Sequence, residues 1–219
     1  MNRRLLVIII SVVSVIAFAA AAVLIRPASE PSPQASQTGT PATEATTLVR
    51  FHSPVIGRFD APVTIVEFFD PSCEGCRAFY PYVKQILSKY PNDVRVVMRY
   101  VLFHKGSEET VRMLEAARRQ GLFEPVLEAI LEAQPEWHDD PNVTAAWRAA
   151  VRVGLNEKRA REEMHDAAIS ALIKADEADV NTVGIKGTPT FFVNGTRLTR
   201  LSPEGLATAV ERALQGGGK

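Results

Sequence analysis

The sequence predicts an α/β fold in which a β-α-β half and a β-β-α half are separated by an all-helical insertion. Three observations predict it. A near-continuous apolar run at Val63–Phe69 is followed by a helix-like stretch and a second apolar run at 94–102. The next stretch, 107–181, carries helical periodicity and no strand pattern. Strand character then returns at Thr190–Val193, followed by Asn194-Gly195 and a last helical stretch. Two strands joined through a helix make a right-handed β-α-β unit.

Each element has a local reason. Ser53-Pro54-Val55-Ile56-Gly57 and Asp60-Ala61-Pro62 read as a lead-in loop. The run Val-Thr-Ile-Val-Glu-Phe-Phe is β-branched and aromatic, as a central strand buried on both faces requires, and Glu67 alone breaks it. After Asp70-Pro71, Ser72 is the expected N-cap and Cys73 opens a helix. Pro81 should kink that helix, because proline removes a backbone bond and crowds the preceding turn. Pro91-Asn92-Asp93 then turns the chain into the second strand.

In the insertion, Ser107 is the expected cap of a first helix that Gly121 stops, with Glu108 and Glu109 in its first turn and Arg118 and Arg119 in its last. Phe123, Val126, Leu127, Ile130 and Leu131 recur at helical spacing and give a second helix. Val143, Ala146, Trp147, Ala150 and Val151 give a third, and 156–178 reads as one longer fourth helix. Asn194-Gly195 is a two-residue hairpin signal that should pair Thr190–Val193 with 196–201. Ser202-Pro203-Glu204 starts the final helix.

The ends and the composition limit what the chain can be. Arg3-Arg4 precede an uncharged apolar run at 5–25, long enough at about 1.5 Å per residue to span a ~30 Å hydrocarbon core. Positive charge before the run leaves the N-terminus inside and exports the rest. Residues 1–26 therefore read as a signal-anchor in a bacterial inner membrane, or as a cleaved signal peptide releasing a soluble form. Residues 27–49 are rich in Pro, Ser, Thr and Ala and read as a flexible linker, leaving 50–219 as the folded domain. Lys plus Arg and Asp plus Glu are both 25, so no basic excess supports nucleic-acid binding.

The chemistry is expected at Cys73 and Cys76, the only cysteines of the 219 residues. At Cys-x-x-Cys spacing beside a β-α-β pattern they read as a disulfide-exchange pair. A sulfur at a helix N-terminus meets unpaired N–H groups and the positive end of the dipole, so Cys73 should be the more acidic, more exposed, attacking thiol. Cys76, one turn further in, should resolve the mixed disulfide. A zinc site would need further ligands at short spacing, and His52, His104, His138 and His165 are scattered. Copper binding by the two thiolates and a purely structural disulfide are the alternatives. No metal or cofactor is expected.

Phe68-Phe69-Asp70-Pro71-Ser72-Cys73-Glu74-Gly75-Cys76, together with Gly187-Thr188-Pro189-Thr190-Phe191-Phe192-Val193-Asn194-Gly195, resembles the DsbA-like branch of the thioredoxin superfamily. The resemblance covers about 51–214 and implies a thioredoxin fold. It implies that Cys73 is the nucleophile, Cys76 the resolving cysteine and Pro189 a cis-proline. Thr188-Pro189 would then pair with extended substrates. Glu67 matches a buried acid that moves the proton of Cys76, the alternative being a strand-edge Glu in solvent. Pro81 matches a structural proline. Between the cysteines, oxidising members carry Pro-His where this chain has Glu74-Gly75, so a higher Cys73 pKa and a less oxidising disulfide are expected. The implied activity is thiol:disulfide exchange on exported protein thiols, foremost as an oxidase recharged by a quinone-linked membrane partner. A reductase, an isomerase, a copper-binding thiol module and a peptide-binding chaperone are the other readings. No dimerisation module is visible, so a monomer is expected.

Overall fold

The structure, a computed structural model, describes residues 47–216. The expected membrane segment at 5–25 and most of the linker lie outside the described residues. Among the described residues no helix is long and apolar enough to cross a membrane.

The strands are β1 (Val55–Gly57), β2 (Val63–Phe69), β3 (Val94–Tyr100), β4 (Thr190–Val193) and β5 (Thr196–Arg197). They form one sheet in the order β1-β3-β2-β4-β5. β2 and β3 run parallel in register Val63↔Val94 to Phe69↔Tyr100, joined through helix α1 (Glu74–Lys89). β4 pairs antiparallel with β2 and turns into β5 through Asn194 and Gly195, both at positive φ. The insertion comprises α2 (Ser107–Arg119), α3 (Phe123–Glu132), a short 3-10 turn (Gln134–Glu136), α4 (Thr144–Arg152), α5 (Glu157–Glu163) and α6 (Ala167–Val183). Helix α7 (Pro203–Gly216) ends the described chain. This is the expected α/β thioredoxin fold with its helical insertion.

Strand alternation divides the core. Val63, Ile65 and Phe69 of β2 join Val94, Val96 and Met98 of β3 in the larger core, with Cys73, Cys76 and the apolar faces of α1, α7 and the insertion. Val66, Phe68 and Val97 face the other way, against Leu48, Phe192, Val180 and Ile185. By the same period of two, Glu67 belongs to the side that carries the cysteines. Burying each of these large side chains contributes roughly 1.5–3 kcal/mol.

On the opposite side Arg99 of β3 is fully buried. Its guanidinium donates to Asp176 Oδ1 at 2.8 Å, Asp179 Oδ2 at 2.6 Å and the Leu48 carbonyl at 2.9 Å. Arg50 closes on Asp179 at 2.7 Å. Leu48 is buried, so the packed body begins within the stretch read as linker. Removing one member of a buried ion network leaves uncompensated charge. Arg99→Met is therefore expected to cost about 3–5 kcal/mol in urea unfolding, with no change in the chemistry of the cysteines.

Several local expectations change. The lead-in loop contains β1, which pairs antiparallel with the edge of β3. β3 stops at Tyr100 instead of 102, and β5 has two residues where six were expected. Gly106 caps α2 in a left-handed conformation, freeing the Ser107 hydroxyl for another partner. The long fourth helix is two, because Asp166 accepts from the Ala168 N–H at 2.7 Å and starts α6 afresh.

Candidate active site

The site lies where β2 and β3 end and α1 begins. Cys73, not Ser72, is the N-cap of α1. Ser72 Oγ is buried without a hydrogen-bond partner, while the Ser72 N–H donates to Asp70 Oδ1 at 2.9 Å. Cys73 Sγ lies 3.2 Å from the Thr188 carbonyl oxygen, and the Thr188-Pro189 bond is cis. Gly75 faces the same loop: a Cβ there would sit 3.2 Å from Pro189 Cδ and 3.5 Å from Cys73 Sγ. Glycine thus lets Pro189 close over the cysteines, a packing role beyond the tuning expected of it. Glu74 is exposed in the first turn of α1.

The two sulfurs differ sharply. Both are free thiols; Cys73 is 8% exposed and Cys76 fully buried. The Cys76 thiol first, then the polar Thr188 side chain and the Cys76 and Gly75 N–H groups, outweigh burial and draw the Cys73 pKa down to about 5. Burial first, and then the Cys73 sulfur, push the Cys76 thiol far above its ordinary range. The Asp70 N–H approaches Cys76 Sγ at 3.4 Å.

Glu67 is buried and does not reach solvent. Burial, reinforced by the negative Cys73 sulfur, raises its carboxyl to about 8. It follows that Glu67 holds a proton at neutral pH beside the thiol pair.

Two further residues build the turn. Asp70, fully buried, accepts from the Phe103 N–H at 2.8 Å, from Ser107 Oγ at 2.6 Å and pairs with His104 Nδ1 at 2.8 Å. It ties the end of β2 to the start of α2, and this is the partner that Ser107 finds in place of capping. Asp70-Pro71 resembles any turn signal in the sequence; an acid at the buried end of an apolar strand was the available hint. Gln134 reaches the turn from the insertion, and nothing in its local sequence marks it.

Among the described residues no cluster of three or more His, Cys, Asp or Glu side chains could hold a metal ion. A cavity of about 660 Å³ beside Trp147 and Arg161 belongs to the insertion and is lined by neither cysteine.

The sequence profile of the family described as thioredoxin matches residues 51–212. The chain belongs to the thioredoxin family. A thioredoxin-like oxidoreductase from Silicibacter pomeroyi DSS-3 is 32% identical, with 74% of this chain and 92% of that one covered at a TM-score of 0.66. BdbD from Bacillus subtilis, in its oxidised form, is 25% identical, over 75% of this thioredoxin-family chain and 94% of its own, at a TM-score of 0.67. Wolbachia pipientis alpha-DsbA1 shares the fold at a TM-score of 0.70, with 15% identity over 80% of this chain and 96% of its own. The DsbA-like arrangement of the thioredoxin fold is therefore the one present. Among curated proteins, the Na(+)/H(+) antiporter NhaA 3 of Salinispora tropica is 34% identical over 65% of this chain. The chain spans about a quarter of the length of the curated relatives it matches, 22% of that one and 25% of NhaA 1 of Salinispora arenicola.

Proposed function

We propose that this thioredoxin-family domain is an extracytoplasmic thiol:disulfide oxidoreductase that oxidises exported proteins through Cys73 and Cys76. The observation that carries the reading is the asymmetry of the pair: an acidic Cys73 under the Thr188-Pro189 loop, and a buried, strongly basic Cys76 beside a protonated Glu67.

That asymmetry suits disulfide donation. A substrate thiolate attacks Cys73 Sγ of the disulfide; the Cys73–Cys76 bond breaks and its electron pair passes to Cys76 Sγ. A thiolate there is unfavourable, so Glu67 supplies the proton and later recovers one from solvent. A second substrate thiolate attacks the substrate sulfur of the mixed disulfide, and Cys73 departs as the thiolate it readily forms. The substrate has lost two electrons and two protons; the domain holds the Cys73 thiolate and the Cys76 thiol, and the second proton is left in solvent. A quinone-linked membrane protein would take the electrons back. Thr188-Pro189 offers extended substrate a backbone edge beside Cys73.

The export reading rests on Arg3-Arg4 ahead of the apolar run at 5–25, and a monomer is the working unit. Antiport is not proposed, since the chain spans only 22% of the length of the Salinispora tropica antiporter.

The test is stoichiometric. The oxidised domain mixed with a reduced, unfolded secreted protein should form one substrate disulfide per domain reduced. No transfer, with efficient reduction of disulfide substrates instead, would mark a reductase. Tight stoichiometric Cu(I) binding without either transfer would mark a copper module.

Glu74 should tune the pair. An exposed anion such as Glu74 in the first turn beside Cys73 is worth about 1 kcal/mol or less. Glu74→Gln is expected to lower the Cys73 pKa by about half a unit and make the disulfide more oxidising. An unchanged thiolate titration would remove Glu74 from the account.

A further inference from the structure

Gln134 sits in the 3-10 turn of the insertion, 61 residues from Cys73 in sequence, and is fully buried. Its Nε2 donates to the Pro71 carbonyl at 2.7 Å and to the Cys73 carbonyl at 3.0 Å. Its Oε1 accepts from Arg77 Nε at 3.0 Å. The guanidinium can only donate and the carbonyls can only accept, so the amide fits in one orientation. Both carbonyls belong to the turn that presents Cys73, and one is Cys73's own. The Cys73 carbonyl also accepts from the Arg77 N–H at 3.2 Å. Without Gln134 the Pro71 carbonyl would oppose charge on the sulfur, the Cys73 carbonyl would be less fully compensated, and the turn would lose its anchor to the insertion.

On the thiol-exchange reading above, we propose that Gln134 is a positioning residue for the Cys73 thiolate. Its amide neutralises the two carbonyl dipoles flanking the sulfur and holds the turn in the shape that aims Sγ at Thr188. The helical insertion thereby sets the redox character of the pair without touching either sulfur. The titratable groups that act on Cys73 are Glu67 from β2 and Cys76 from α1, and both are retained in the variants that test this.

Gln134→Met keeps the length of the side chain and removes the donor. The Cys73 thiolate, followed by its ultraviolet absorbance across pH, should then titrate about half to one unit higher. A less stable thiolate favours the disulfide, so the equilibrium with glutathione should move about 3- to 10-fold toward the oxidised domain. A titration and an equilibrium both equal to wild type would overturn the proposal. If Gln134→Met does not unfold cooperatively, Gln134→Asn, whose amide is one methylene too short to reach both carbonyls, is read by the same criteria. The titration requires no disulfide transfer. A wild-type chain that transfers none would overturn the oxidoreductase reading, while the Gln134 proposal would still stand or fall on the thiolate titration.

Discussion

Cys73→Ala is expected to abolish disulfide transfer, because no other sulfur in the turn is exposed to attack. Cys76→Ala is expected to behave differently. With the resolving sulfur gone, a reduced Cys73 that attacks a disulfide stays joined to its partner, and mixed disulfides accumulate as adducts visible without reductant. The same variant removes the largest influence lowering the Cys73 pKa, the hydrogen bond from the Cys76 thiol. The Cys73 titration should therefore move up from about 5 by more than one unit, toward that of an ordinary thiol. Transfer that survives in Cys73→Ala would shift the activity away from the cysteines, toward a peptide-binding role for the Thr188-Pro189 loop.

Glu67→Gln is expected to raise stability and lower activity together. With the thiols free, folded Glu67 takes up its proton near pH 8, whereas the ordinary value is 4.5, and burial, the larger cause, persists when the disulfide forms. Between those values the native state binds more protons than the unfolded one, so stability falls as pH rises through the window. The accumulated loss is about 3–5 kcal/mol above pH 8, and Glu67→Gln should recover it. Cys73 acts with the opposite sign in the reduced domain. Its pKa is depressed from 9.0 to about 5, so the stability it adds is present above pH 9 and is lost as pH falls through 5. Reduced wild-type protein should consequently show a shallow pH profile between 5 and 8, and reduced Glu67→Gln a profile that climbs with pH. The oxidised variant should be flat. Exchange at neutral pH should slow by about 10- to 100-fold for want of the proton that Cys76 requires. Chemical unfolding of both redox forms across pH measures the first effect and single-turnover oxidation the second; parallel stability profiles for wild type and variant would place Glu67 in solvent after all.

Much of this site was legible because its parts are local. The apolar run of β2, the Cys-x-x-Cys spacing and Asn194-Gly195 each report their own structure, and period-two alternation places Glu67 on the cysteine side. The errors fall where long-range partners decide. Ser72 and Ser107 look like helix caps, but Asp70, an acid that reads as a turn former, claims the backbone of one and the hydroxyl of the other. The helical pattern over 156–178 carries no Gly or Pro, so only the Asp166 side chain marks its break. Three residues of β1 pair with β3 because the edge of that strand is free there, which their own sequence does not show. Gln134 had no local signal at all, since its meaning lies in two carbonyls some sixty residues earlier.

The central claim, that this domain donates disulfides, concerns one number. Its Cys73 pKa of about 5 lies between the ~3.5 of DsbA and the ~7 of thioredoxin. Equilibration with glutathione buffers should accordingly give a Cys73–Cys76 reduction potential above about −200 mV, short of the ~−120 mV of DsbA. A value near the ~−270 mV of thioredoxin would contradict the oxidising direction and make the domain a reductase.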